Sequence, residues 1–209
     1  MHIDWRGSAS GGTITNKNHA HFPRFILAHL ASQNTDLIDA AITDINRANC
    51  WYSTDCNLKT ISQAYNITGK RWPREQGYEY KYLLDIDGNS YSGRYLGLLR
   101  TNALVFKVRR VLAFFLFLGT YCKDSLAPQS TAFSEFFDPW LRPYEHFIPV
   151  APDLSDLVSK IEWARAHDDE AKQIAQAGRE VAERVMTDAQ NDCYYFAVLL
   201  EWGRLWGEG

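Results

Sequence analysis

Between Asp85 and Arg94 the chain reads Asp-Ile-Asp-Gly-Asn-Ser-Tyr-Ser-Gly-Arg, a run that concentrates groups able to hold a charged ligand. Backbone amides of a Gly/Ser-rich turn entering a helix can point at a phosphate. Arg94, one turn into that helix, can add a bidentate contact to a diphosphate. A plain strand-to-helix turn with a solvated arginine has the same composition. Asp85 and Asp87 could also hold a divalent cation, since two carboxylates are suitable hard ligands. Side chains two apart share a face only while a strand stays regular, and a single Asp capping the turn is the simpler account.

A second set of residues offers similar ingredients. Trp5-Arg6-Gly7-Ser8, followed by Gly11-Gly12, supplies a cation, a hydroxyl and backbone that can approach a ligand closely. Arg24 follows, among His19, His21 and His29. Nothing acidic or thiol-bearing is spaced to complete a metal site with His19 and His21, so both read as solvent-exposed. The sequence has no GxSxG, HExxH, Walker loop or GxGxxG, so hydrolase, zincin, P-loop and dinucleotide chemistries lose support.

The elements that would position these groups follow from periodicity. Residues 1–18 read as a short strand ending in a loop, and Phe22 to Ala31 has helical spacing at Phe22, Phe25, Ile26 and Leu30. Leu37 to Ile45 fits a strand or a short helix, and residues 46–78 are irregular. Tyr78 to Ile86 becomes continuously apolar, as a buried strand does, and Asp87-Gly88-Asn89 turns into a helix from Ser92 to Arg100. Ala103 to Lys107 and His146 to Val150 read as strands. A helix follows through Leu154, Leu157, Val158, Ile161 and Ala164, capped by Asp153 or Ser155; a second comes after His167-Asp168-Asp169, with Ile174, Ala175, Gly178, Val181, Ala182 and Val185 on one face, and a third starts from Asp188. Strands alternating with helices imply an α/β layer on a parallel sheet.

Bulk properties agree with one domain. The chain has 209 residues, 46% of them hydrophobic, and a net charge of −3, without the basic excess of a nucleic-acid binder. The aromatic content of 14% is first a packing resource. Four cysteines permit disulfides without requiring them, and Asn66-Ile67-Thr68 is a sequon that matters only in a secretory chain. No basic region followed by an apolar stretch opens the chain, and the run Val111–Gly119 is shorter than the ~20 residues of a spanning helix.

Taken in order, WRGSASGG, YKYLLDIDGNSYSGRYLGLLRTNALVFK and the stretch from STAFSEFFDPWLRPYEHF to Trp202 resemble the C-terminal half of glycosyltransferase family 90, which includes fungal capsule-associated proteins and animal protein O-glucosyltransferases. The resemblance implies the Rossmann-like, donor-binding domain of a two-domain GT-B enzyme. Such an enzyme transfers glucose or xylose from a UDP-sugar to a hydroxyl of a glycan or protein acceptor, with inversion and with neither metal nor cofactor. It places Ser8, Arg24 and the loop Asn89, Ser90, Tyr91, Ser92, Gly93 and Arg94 at the donor, and Glu135 at the nucleotide ribose.

The family's base is an Asp upstream of the RGS motif, so this chain reads as a fragment without it. A non-catalytic nucleotide-sugar-binding or interaction module is the rival. The resemblance also implies the Golgi or endoplasmic reticulum lumen, with a membrane reached only through an N-terminal anchor outside this sequence. Residues 108–129 interrupt the family pattern. Val108-Arg109 can be encoded by a splice-donor consensus and Gln129 by an acceptor consensus, which suggests an unspliced intron; an amphipathic membrane-contact loop is the competing account.

Overall fold

The computed structural model describes residues 2–45, 50, 55–67, 73–108 and 135–207. Five strands form one sheet: β1 (Ile3–Ser8), β2 (Ile38–Asp44), β3 (Tyr82–Asp85), β4 (Leu104–Val108) and β5 (Ile148–Val150). Their order is β2-β1-β3-β4-β5 and every pairing is parallel. The expected α/β parallel sheet is therefore present, in a doubly wound order. Strands β3, β4 and β5 are buried throughout, which is why Tyr82-Leu83-Leu84 and Leu104-Val105-Phe106 lack polar alternation.

Helices cover the two faces. Side chains alternate along β4, so Leu104, Phe106 and Val108 point into one cluster, with Phe25 and Leu27 of α1 (Pro23–Gln33) and Leu157 and Ile161 of α5 (Leu157–Ala166). Val105 points into the other. Its neighbours there are Tyr95 and Leu99 of α4 (Tyr95–Leu99) and Val181, Ala182 and Val185 of α6 (Asp168–Val185). The α1 helix starts on Pro23, whose missing N–H costs nothing at a first-turn position. Three acidic residues, Asp168, Asp169 and Glu170, sit at the positive end of α6.

Several boundaries differ from the sequence expectation, each for a local reason. Residues 46–78 are not wholly irregular, because α2 (Leu58–Ala64) and the single turn α3 (Arg74–Gly77) form there; the Asn57 side chain caps α2 by accepting from the Thr60 N–H. The strand expected from Tyr78 begins only at Tyr82, since the amides of Tyr78 and Tyr80 donate to Glu75 and Gly77. The helix expected from Leu154 begins at Leu157. Leu154 has a positive φ of 58°, and Asp153 accepts from Ser155 instead of capping a helix.

The last helix, α7 (Asp188–Gly207), buries no residue, and Leu199, Trp202 and Trp206 stand 68%, 60% and 72% exposed. No helix among the described residues is long and apolar enough to cross a membrane. Cys50 and Cys56, whose pairing the sequence left open, form a disulfide, and Cys193 is a free exposed thiol. The interrupting segment 108–129 lies outside the described residues, apart from Val108.

Candidate functional site

Strand order reverses between β1 and β3, and in open α/β sheets ligands bind in the crevice where this happens, beyond the strands' carboxyl ends. Here the crevice is wide because the strands part early. They pair only at Ile3–Tyr82 and Asp4–Leu83. Beyond those two pairs, β1 carbonyls that would meet β3 amides need other donors.

Two arginines provide them. Arg94, at the start of α4, donates Nη1 to the carbonyl of Arg6 at 2.7 Å. Arg24, from α1 on the opposite face, donates Nη1 to the Ser8 carbonyl at 2.6 Å and Nη2 to the carbonyls of Ile86 and Asp87 at 3.0 and 3.1 Å. The Trp5 ring lies within cation–π range of both, 5.3 Å from Arg24 and 5.9 Å from Arg94. Burial, and then the charge of Arg94, bring the Arg24 guanidinium down to about 10, still fully charged at neutral pH. Trp5 Nε1 and Arg24 Nε are buried donors without a hydrogen-bond partner among the described residues.

The cavity at this crevice has a volume of about 660 Å³ and is lined by Ser8, Arg24, Gly93 and Arg94, together with Asp4, Trp5 and Arg6. Four of the sequence-identified donor residues therefore converge. Asn89 reaches across the mouth, its Oδ1 accepting from the Gly11 N–H at 2.8 Å. Tyr91 is exposed and Ser90 half-buried in the same loop. Ser92 turns inward, its hydroxyl donating to Asp85. Glu135 is half-buried and is not among the cavity's lining residues; its N–H donates to Asp138.

The Asp85/Asp87 pair has a partner that neither sequence account named. Both carboxylates face one ammonium, Lys107 Nζ, at 2.5 and 2.6 Å. Asp85 is fully buried. No cluster of three or more His, Cys, Asp or Glu able to hold a metal occurs among the described residues. His21 is exposed as expected, whereas His19 is half-buried and packs edge-on against Phe25 and Tyr65.

Sequence reasoning missed a second ionic network, in which Asp4 and Arg6 of the same cavity reach Asp39 on β2. Arg6 binds Asp4 at 2.8 Å and Asp39 at 2.5 Å, and Tyr80 donates its hydroxyl to Asp39. Burial raises the Asp4 carboxyl to about 6 against the pull of Arg6, with Asp39 adding to the rise. Parallel register places Asp4 beside Asp39, and no local spacing shows it.

A family profile described as Glycosyl transferase family 90 matches residues 120–207. Zebrafish (Danio rerio) protein O-glucosyltransferase 2 is 31% identical over 182 residues, covering 87% of this chain and 30% of that protein. Human protein O-glucosyltransferase 3 is 28% identical over 176 residues, covering 84% of this chain and 28% of its own length. The chain thus spans about 30% of the length of these relatives. Among solved structures, the C-terminal domain of the group 1 glycosyl transferase LpcC from Francisella tularensis aligns with a TM-score of 0.45, at 12% identity over 90% of this chain and 85% of that one. Sucrose-phosphate synthase from Thermosynechococcus elongatus aligns with a TM-score of 0.47, at 12% identity over 99% of this chain and 45% of that one. By these sequence relationships, the chain belongs to glycosyltransferase family 90.

Proposed function

We propose that the crevice between β1 and β3 is the donor site of a UDP-sugar-dependent glycosyltransferase, and that this chain is the donor-binding part of a GT-B enzyme. The observation that carries the proposal is the delivery of Arg24 and Arg94 from opposite faces of the sheet to one cavity at the switch point. Two guanidinium groups there can offset the charge of a diphosphate and of the leaving nucleotide, and they are held in place before ligand arrives. Trp5 Nε1 and Arg24 Nε are unspent donors at the same place. Ser8 and the Asn89–Arg94 loop supply hydroxyls and backbone for the remaining oxygens.

Transfer of a sugar such as glucose or xylose to a glycan or protein hydroxyl, with inversion, is proposed for the full-length enzyme. Its general base is placed outside these residues. The curated relatives carry the name O-glucosyltransferase, which favours glucose or a close analogue; a secretory compartment is proposed from the family resemblance alone. Diphosphate charge is read as balanced by arginine and not by a metal, because Lys107 already occupies the Asp85/Asp87 pair. We also propose that residues 108–129 are a translated intron, which sequencing of the mature transcript across Lys107–Ser130 tests directly.

Calorimetric titration with UDP tests the site: saturable binding supports it, and absence of binding removes it. Measuring sugar release or transfer by the same chain separates a competent enzyme from a binding module, which would bind without turnover.

A further inference from the structure

We infer that Lys107 is the positioning residue of the donor loop, an inference that rests on the donor-site reading above. It lies in β4 opposite Asp85 in the parallel register, between buried Phe106 and Val108, and is only 6% exposed. An ammonium in such a place is costly unless its charge is met. Three groups meet it: Asp85 at 2.5 Å, Asp87 at 2.6 Å and the face of the Tyr95 ring at 4.7 Å.

These partners belong to three successive parts of the chain. Asp85 ends β3, Asp87 opens the loop, and Tyr95 begins α4. The second oxygen of Asp85 accepts from Ser92, near the loop's far end. One ammonium therefore fixes both ends of the segment that carries Asn89 and Arg94. It also neutralises part of the negative charge at the end of β3. Left uncompensated, Asp85 and Asp87 would oppose any anion brought to Arg94. The same contacts thus set loop geometry and electrostatic sign together.

The test compares the wild-type chain with Lys107→Met, Lys107→Arg and the charge-balanced pair Lys107→Met with Asp85→Asn. The two readouts are UDP affinity by calorimetry and hydrogen exchange of the ligand-free protein. Lys107→Met is expected to weaken UDP binding about tenfold or more, with Lys107→Arg restoring most of it. Exchange at the Gly88 and Tyr95 amides, which close the loop on Tyr91 and Ser92, should quicken while α6 stays protected. Should Lys107→Met alone fail to fold, the charge-balanced pair removes the isolated buried carboxylate, and the same loss of affinity is expected.

Affinity within twofold of wild type in a folded variant would overturn the inference. So would exchange that quickens equally in the loop and in α6, because that is the signature of a merely structural ion pair. If the wild-type chain binds no UDP, the donor-site reading fails, and the exchange measurement still decides whether Lys107 orders the loop.

Discussion

A β-carbon on Gly7 would stand 2.7 Å from Cζ2 of Trp5, so the indole that underlies both arginines lies directly on the backbone of the RGS motif. The rigid ring has no slack to move aside. Gly7→Ala is expected to cost about 1–3 kcal/mol of stability through overpacking. It should also shift the tryptophan emission of the folded protein, because Trp5 must tilt. Urea denaturation read by fluorescence checks both, and an alanine variant as stable as wild type would show that the indole is free to move.

Arg94 contributes to the site through charge and through its hold on the Arg6 carbonyl. Arg94→Ala is expected to weaken UDP binding by about 10- to 100-fold, the range for losing hydrogen bonds to a charged group. Arg94→Lys should fall between, since a point charge replaces a planar fork. Calorimetry on both variants measures the difference, and equal affinity in all three proteins would remove Arg94 from the donor site.

Metal removal gives an independent check. Lys107 stands where a cation bound by Asp85 and Asp87 would sit, so UDP affinity should be the same, within about twofold, in EDTA and in millimolar magnesium or manganese. A large gain on adding metal would mean that the lysine gives way to it.

The pH dependence of stability should carry the signature of Asp4. Its carboxyl is raised to about 6 in the folded chain, chiefly by burial, from an ordinary 3.8. Between these values the folded state holds a proton that the unfolded chain has released. The contribution of Asp4 is therefore most favourable below the unfolded value and is lost as pH rises through about 6. The loss is on the order of 2–3 kcal/mol. Asp4→Asn should flatten that part of the profile, so its stability relative to wild type should rise between pH 4 and pH 7. Parallel profiles from denaturation at several pH values would assign the titration elsewhere.

At Gly178, α6 packs directly against the backbone of His146. A β-carbon there would meet the His146 carbonyl oxygen at 2.3 Å and Leu99 at 3.0 Å. The first obstacle is backbone and the helix would have to lift from the sheet, so Gly178→Ala is expected to cost about 3 kcal/mol or more. Thermal unfolding measures it, and a small effect would mean that α6 docks more loosely.

What the sequence determined by itself was local and periodic. The apolar runs at Tyr82 and Leu104 mark strands buried on both faces, and the spacing in α1 and α6 marks helices with one buried side. The WRGS and DIDGNSYSGR motifs identified the loops that meet at the switch point, through their resemblance to a family. Composition could not show what those motifs do with their charges. Lys107 meets Asp85 across two strands, Arg24 reaches Ile86 from 62 residues away, and Asp4 finds Asp39 through parallel register. Each of these partners is set by strand order. Tertiary structure alone therefore decided that the Asp pair holds a lysine, and that Arg24 and Arg94 fill the gap where β1 and β3 part. Pairing across a parallel sheet depends on register and crossover, and neither leaves a mark in the residues that flank a motif.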